Sequence, residues 1–294
     1  MPFLYKFSLG NEKGKVGLLG EGEVGAVTYH ALFDYPLTAP EVIKWSIGKQ
    51  KLSKSFETAE ITEKDGYYFI AGKEGLIYQR VLKERISAKK IEIAKDAASV
   101  LKHLLSVKGV FLTGALSMEN ASFNSDIDLM IVTKRNLLWT TRLITYLVLR
   151  IMNYAIRKPK DKEGKDQLCL NMWLDESALS WDWRNRNLYT AHEIAQVKPL
   201  VNKDFVYEEF IGKNKWVRDY WPNAVRVQST ERKVQRRKIL STKYCVLCTW
   251  LEKLAFKFQY AYMKSRITRE IITPHKAIFH PSDWGKIVLQ RLSS

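Results

Sequence analysis

An apolar run that ends at a glycine, followed closely by two aspartates, constrains the fold of this chain more than any other stretch. Residues 110–112 are apolar and β-prone, and Gly114 follows them after a single threonine. Asp126 and Asp128 then open a second apolar run, residues 129–132, which suits a strand covered on both faces. Because side chains alternate between the faces of a strand, we expect the two aspartates to point the same way.

The paired aspartates indicate a site for a hard divalent cation. Two carboxylates on one strand face can hold one or two cations, most naturally Mg²⁺ and otherwise Mn²⁺. Gly114 and Ser117, which follow the first run, can offer backbone N–H groups and a hydroxyl to a phosphate. We therefore predict Asp126 and Asp128 as metal ligands and catalytic residues.

This motif resembles the core of the nucleotidyltransferase superfamily that includes DNA polymerase β. In that superfamily a Gly-Gly or Gly-Ser follows a strand, and Asp-x-Asp or Asp-x-Glu opens the next strand about ten residues later. Gly114 and the two aspartates match, whereas Ala115 replaces the second Gly or Ser, and Ser117 follows two residues later. The resemblance covers residues 107–180.

The resemblance implies a metal-dependent enzyme that moves NMP from an NTP to an acceptor hydroxyl and releases pyrophosphate. Gly114 and Ser117 would then hold the β- and γ-phosphates. Arg142, in a helix expected over residues 136–157, could reach the triphosphate, although extending its charged end to solvent or pairing with a carboxylate is its alternative role. Tyr189, in a helix expected over residues 187–195, could stack on the base. His192 and Glu193 belong to the same helix and could lie near the cleft.

The third carboxylate of the superfamily is missing from its usual strand. We expect that strand over residues 168–174. We predict Leu168, Leu170, Met172 and Leu174 on one face and Cys169, Asn171 and Trp173 on the other. Asn171 stands where the carboxylate is expected and is the third predicted catalytic residue, but an amide is a weaker ligand and cannot act as a general base. Strand alternation favours none of the nearby substitutes, which are Asp166, Asp175 and Glu176.

A net charge of +17 favours a polyanionic partner. Residues 232–238 form the densest basic run, and lysines and arginines continue through residues 250–269, interleaved with aromatic residues. Such a pattern can bind RNA through phosphate contacts and stacking, and it also fits a helix with core aromatics and solvated lysines. We expect a nucleic-acid acceptor, RNA ahead of DNA, and no membrane partner; the sequence carries no indication of oligomeric state.

Several features favour a reducing cytoplasm. The first six residues lack the apolar core of a signal peptide, and the most apolar segment, residues 137–154, is interrupted by Arg142 and Arg150. Three cysteines are an odd number without a disulfide framework. Cys245-x-x-Cys248 has no second ligand pair at a suitable spacing, so we do not expect zinc there.

The N-terminal part resembles a winged-helix domain. A short helix is expected over residues 24–33, a second begins at the capping box of residues 38–41, and a basic third helix is expected over 49–60. A hairpin that turns at Asp65-Gly66 follows. The resemblance implies contacts with nucleic-acid phosphates for Lys49, Lys51 and Lys54. The alternative is a packing or dimerisation unit.

These observations predict an α/β (α+β) fold built on a small mixed sheet. The expected domains are a winged-helix-like domain (1–75), a connecting helix (76–106) with a solvated charged face, a nucleotidyltransferase core (107–180) and a helical C-terminal domain (181–294). Two other functions remain open: a transferase of the same fold that acts on a protein or small molecule, and a non-catalytic nucleic-acid-binding or regulatory protein with a degenerate site at Asn171.

Overall fold

The computed structural model describes six segments of the 294-residue chain, namely 19–48, 60–158, 164–225, 246–265, 267–279 and 284–293. Several predictions lie outside the described residues. These are the arm before residue 19, the basic third helix with Lys49, Lys51 and Lys54, the basic run 232–238, and Cys245.

The N-terminal part combines two helices with a small antiparallel sheet. In chain order it contains α1 (Glu21–Ala31), β1 (Leu37–Thr38), α2 (Ala39–Lys44), β2 (Ile61–Lys64) and β3 (Tyr67–Ile70), with the strand order β1-β3-β2.

Local sequence signals explain where these elements begin and turn. α2 starts at the predicted capping box, where the Thr38 N–H donates to the Glu41 carboxylate at 2.9 Å. The predicted hairpin is confirmed, and both residues of its Asp65-Gly66 turn have positive φ, as a tight hairpin turn of this kind requires.

A six-stranded mixed sheet forms the centre of the structure. Its strands are β4 (Val107–Leu112), β5 (Ile127–Thr133), β6 (Leu168–Asp175), β7 (Lys198–Asn202), β8 (Ile271–Ile272) and β9 (Lys276–Ile278). The strand order is β7-β4-β5-β6-β9-β8; β5 and β6 are parallel, and the other pairs are antiparallel. The predicted mixed α+β class is confirmed.

Helices connect these strands and cover both faces of the sheet. They are α3 (Gly75–Leu101), α4 (Gly114–Ser117), α5 (Leu138–Ile151), a 3₁₀ turn (Trp183–Asn185), α6 (Leu188–Ala195), α7 (Val206–Lys213), α8 (Val217–Tyr220), α9 (Val246–Lys264) and α10 (Trp284–Ser293). In the described part of the chain, no helix combines the length and the apolarity needed to cross a bilayer.

β5 divides its side chains between two hydrophobic cores. Ile127, Leu129 and Ile131 pack with α3, α5 and α9 on one face, here called the α5 face. Met130 and Val132 pack on the other face with α6, α7 and the N-terminal helices, here called the α6 face. Asp128 therefore belongs to the α6 face, because it alternates with the residues of the α5 face.

The predicted faces of β6 are wrong in its second half. The pairing register between β5 and β6 shifts between Asp128 and Met130. As a result Trp173 joins Leu168 on the α5 face, while Met172 borders the same cavity as Asn171. An irregularity of this kind changes which side a residue faces, and an alternating pattern cannot reveal it.

The region after residue 180 contributes three strands that the sequence did not predict. β7 contains Pro199 and is half exposed, and β8 and β9 have two and three residues. Strands this short or this exposed carry no readable alternation, which is why only helices were expected there.

A buried histidine pair joins α1 to α6. The Nδ1 of His30 lies 2.8 Å from the Ala26 carbonyl, and its Nε2 lies 3.1 Å from the Nε2 of His192. A carbonyl only accepts hydrogen bonds, so His30 carries its proton on Nδ1, and His192 donates from Nε2. This arrangement requires both rings to be neutral, and burial favours that state. Burial lowers the pKa of His30 to about 4, and burial followed by the His30 charge lowers that of His192.

We expect acid to destabilise the protein through His30. The folded state resists protonation of this ring, so its contribution to stability is present above pH 6.5 and is lost as the pH falls toward about 4. This difference corresponds to about 3 kcal/mol of unfolding free energy. Urea unfolding of the wild type and of His30→Gln across this range measures it: the variant should lose less stability on acidification. Parallel curves would contradict the assignment.

Candidate metal centre

The two predicted aspartates lie at the end of the sheet where β4 ends and where β5 and β6 begin. Asp126 immediately precedes β5, and Asp128 pairs with Cys169 across the parallel β5–β6 ladder. One donor atom from each of Asp126, Asp128 and Cys169 can be chosen so that all three lie within 4.8 Å of one another. The structure therefore brings the aspartates together and adds a thiol that the sequence analysis had placed only on a strand face.

Gly114 lets the backbone after β4 approach the Asp128 carboxylate. Its φ is +61°, and a Cβ at this position would lie 2.6 Å from the Oδ2 of Asp128. The neighbouring Thr113 N–H donates to the Asp128 carbonyl at 3.1 Å. Any other residue at position 114 would combine a strained backbone with a collision against the carboxylate.

Ser117 does not present its hydroxyl to the acidic cluster. Its Oγ donates to the Gly114 carbonyl at 2.7 Å, and the residue is fully buried. Ser117 borders a different cavity, of about 280 Å³, between the N-terminal part and the sheet. In this structure its hydroxyl stabilises the α4 turn.

Asn171 contacts Asp128 directly. Its Nδ2 donates to the Asp128 Oδ1 at 2.6 Å. Its own Oδ1 is buried and has no hydrogen-bond partner among the described residues. Buried polar atoms are nearly always partnered, so this amide oxygen is available to an additional ligand.

Arg157 holds a positive charge against the outer side of the cluster. Its guanidinium donates to the Asp126 Oδ2 and also contacts Cys169. Its side chain is 38% exposed, whereas that of Asp126 is 14% exposed. Arg157 therefore partly neutralises the carboxylates from the solvent side.

Lys90 of α3 fixes the segments on both sides of the cluster. Its ammonium donates to the carbonyls of Phe123 and Ser125, at 3.2 and 2.7 Å, and to the Asp166 carboxylate at 2.7 Å. These bonds use all three ammonium protons. The predicted solvated face of α3 is therefore wrong at Lys90, which is 1% exposed. Lys90 therefore links the segment that precedes Asp126 to the segment that precedes β6.

A small cavity separates Asp128 from Glu193 of α6. Its volume is about 50 Å³, and most of its wall is apolar, with Met130, Trp181 and Phe210 among the lining residues. Gly114 and Asn171 lie on its polar side. It has room for a few water molecules at most. A nucleotide would therefore have to approach from the outer side, where Asp126 and Arg157 lie.

Both carboxyl groups that border this cavity favour their protonated forms. Burial, and secondarily the Asp126 charge, raise the pKa of Asp128. Burial, and secondarily the Asp128 charge, raise the pKa of Glu193 to about 7, although the Gln196 amide donates to it at 2.7 Å. The sequence predicted only that Glu193 could lie near the cleft. The position of a residue in the chain does not reveal how far its helix lies from a strand.

Two predicted nucleotide-binding residues lie away from the cluster. Arg142 belongs to the α5 face, where its guanidinium donates to Gln259 at 2.6 Å and packs over the Tyr146 ring at 4.9 Å. Tyr189 packs against the hydrophobic core of the α6 face and is not among the residues that border the small cavity.

The other acidic residues considered for β6 have different partners. The buried Asp175 accepts from the Asn136 N–H at 3.0 Å and contacts the His275 ring at 2.7 Å. Asp166 pairs with Lys90, and Glu176 accepts from the Arg135 N–H at 3.2 Å. In the part of the chain that the structure describes, none of the three reaches the aspartate pair.

The donor set fits a divalent cation. Asp126, Asp128 and the unpartnered Asn171 oxygen are hard donors of the kind that Mg²⁺ and Mn²⁺ prefer. The Cys169 sulfur is a softer donor and suits zinc-like cations. The fold and site thus define a mixed α+β protein with a candidate cation centre at one end of its sheet.

No protein-family model and no curated protein matches this sequence. Among solved structures, one described as a toxin-antitoxin with AMP-PNP aligns with 42% of this chain and 89% of that chain. The identity is 14% and the TM-score 0.25. A similarity this low supports no conclusion about function.

We expect Lys90→Met to destabilise the protein by about 2–3 kcal/mol, because it leaves two carbonyls and one carboxylate without their donor. Lys95→Met is the matched control, since Lys95 is 56% exposed and pairs with Glu92 on the same helix. The control should change stability by less than about 0.5 kcal/mol. Urea unfolding compares the two, and equal effects would mean that Lys90 does not fix the site.

We expect Glu193→Gln to stabilise the protein at alkaline pH. The raised pKa means that folding favours the protonated acid, so the cost of burial is absent below pH 4.5 and complete above about 7. The gain at pH 8 should be about 3 kcal/mol and should vanish near pH 4.5. Urea unfolding in EDTA measures it, with exposed Glu209→Gln as the control. A gain that does not depend on pH would contradict this account.

Proposed function

We propose that this protein is a divalent-cation-dependent nucleotidyltransferase that moves NMP from an NTP to an acceptor hydroxyl, with nucleic acid, RNA ahead of DNA, as the acceptor. The observation that carries the proposal is the pairing of Asp126 and Asp128 at a strand end, beside the glycine turn at Gly114. This is the arrangement that the resemblance to nucleotidyltransferases implies.

The residues of the cluster have separate roles in this proposal. Asp126 and Asp128 hold the cation, which neutralises triphosphate charge and stabilises the attacking and leaving oxygens. The turn at Gly114 provides backbone N–H groups for phosphate oxygens, because the Ser117 hydroxyl is already bonded to the Gly114 carbonyl. Arg157, at the outer side of Asp126, pairs with the triphosphate.

The transfer requires a proton acceptor. The acceptor oxygen bonds to the α-phosphorus, the bond from that phosphorus to the bridging oxygen breaks, and pyrophosphate leaves. The acceptor's proton passes to solvent on the outer side of the cluster, because Glu193, whose pKa is about 7, borders the cavity on the other side of Asp128.

The class of acceptor is argued from charge and from one helix surface. The net charge is +17, and Trp250, Phe258 and Tyr262 of α9 are more than half exposed, close in sequence to exposed lysines such as Lys253. Aromatic rings between cations suit stacking and phosphate contacts with RNA. Because α9 packs on the α5 face, a bound nucleic acid would extend around the sheet to reach Asp126.

A second candidate function is nucleotide binding without transfer. Two observations favour it: β6 supplies Asn171 and Cys169 instead of a third carboxylate, and Arg157 is paired with Asp126. A transferase of the same fold that acts on a protein or small molecule is the remaining alternative.

Labelled NTPs, supplied one at a time with total RNA and with Mg²⁺, Mn²⁺ or Zn²⁺, test the proposal. We expect label on RNA, reduced at least about 100-fold by Asp128→Asn, because a ligand of the cation is lost. Asp65→Asn is the matched control, since an Asn-Gly turn suits the hairpin equally well. Its activity should be unchanged.

Each other outcome contradicts a defined part of the proposal. Label on the protein or on a small molecule would mean that the acceptor is not nucleic acid. Nucleotide binding without transfer would favour the non-catalytic candidate. Equal activity in Asp128→Asn and the wild type would overturn the site.

A further inference from the structure

Cys169 occupies the position of a third ligand. It lies opposite Asp128 in the parallel ladder, and its sulfur is within hydrogen-bonding distance of both aspartate carboxylates. Asp128 and Cys169 belong to two adjacent central strands, and Asp126 immediately precedes the first of them, so the sheet sets their spacing before any cation binds. A cysteine between two carboxylates is not in the apolar surroundings typical of a structural cysteine.

Asn171 gives an independent indication of a ligand at this place. The residue is 9% exposed, and its Oδ1 has no partner in the segments described. It borders the cavity behind Asp128 and already donates to that carboxylate through Nδ2. A buried, unpartnered amide oxygen on a residue that contacts the Asp128 carboxylate suits a cation or a cation-bound water.

We propose that Cys169 is a direct ligand of the cation together with Asp126 and Asp128, and that the site therefore selects Zn²⁺ over Mg²⁺. The inference deepens the proposed function, since it concerns the cation of the same site. It differs from what the resemblance implies, which is an all-oxygen magnesium site.

Charge and ligand preference both support this selection. A thiolate at position 169 carries the same charge as the third carboxylate that the superfamily has on this strand. With Asp126 and Asp128 it would give the site three negatively charged ligands. Mg²⁺ takes oxygen ligands, whereas Zn²⁺ accepts sulfur and carboxylate oxygen together. Three protein donors leave one position of a tetrahedral zinc site open, as in catalytic zinc sites. On binding, the Cys169 thiol releases its proton to solvent.

Cobalt spectroscopy on the full-length chain tests the inference. Cys245→Ser and Cys248→Ser are introduced first, so that Cys169 is the one remaining thiol of the sequence. Titration with Co²⁺ should produce a near-ultraviolet thiolate-to-cobalt absorption band. One equivalent of Zn²⁺ should abolish the band, and excess Mg²⁺ should not.

Two variants at the same position separate the role of sulfur from the role of shape. Cys169→Ser should abolish the band and weaken Zn²⁺ binding at least about 100-fold, with Mg²⁺ binding changed by less than about threefold. Cys169→Asp should give no band and should strengthen Mg²⁺ binding about tenfold or more, because it restores a hard ligand. Circular dichroism checks that each variant is folded.

A measurement without any change at position 169 keeps the inference testable if these variants fail to fold. In the same two-serine background, Zn²⁺ should protect the thiol from alkylation by iodoacetamide, and Mg²⁺ at equal saturation should not. Equal protection by both cations would mean that the sulfur is shielded without being a ligand.

The outcomes distinguish this inference from the proposed function. Cobalt binding with the same spectrum in Cys169→Ser would overturn the inference and leave the transferase proposal standing. A thiolate band without transfer from any NTP would support the zinc site and overturn the transferase. No binding of Co²⁺ or Zn²⁺ would overturn the inference.

Discussion

The structure depends on one constraint: several carboxylates at one end of the sheet are partly removed from water. Asp128 and Glu193 are half-buried and close enough that the Asp128 charge adds to the cost of ionising Glu193. The surrounding groups offset that cost: the Asn171 amide donates to Asp128, and Arg157 pairs with Asp126. A fold selected for stability alone would not gather these acids, so the arrangement supports a functional origin.

Helix α6 connects this acidic end to the N-terminal part. Two consecutive residues on it face different partners: His192 bonds to His30 of α1, and Glu193 borders the cavity of Asp128. The rings of Tyr29, Trp45 and Trp221 surround the histidine pair. Because the helix is held by aromatic packing on one side, its carboxylate is fixed on the other, and the N-terminal part contributes to the geometry of the site.

Residues far apart in the chain supply what the sequence could not indicate. Lys90 belongs to α3, which the sequence predicted as a connecting helix with a solvated charged face. Its ammonium instead fixes the segments before β5 and β6. Cys169 reads as a small strand residue until the register places it opposite Asp128. Arg142 shows the converse, because this cation lies near the motif in sequence but packs on the other face of the sheet.

The sequence by itself determined the two central strands, the glycine turn and the shared face of Asp126 and Asp128, because these follow from local alternation and from backbone freedom at one residue. It also determined the hairpin at Asp65-Gly66 and the start of α2. Only the tertiary structure decided which groups complete the cluster. The β5–β6 register and the packing of α6 set those distances, and both result from long-range pairing that no local pattern encodes.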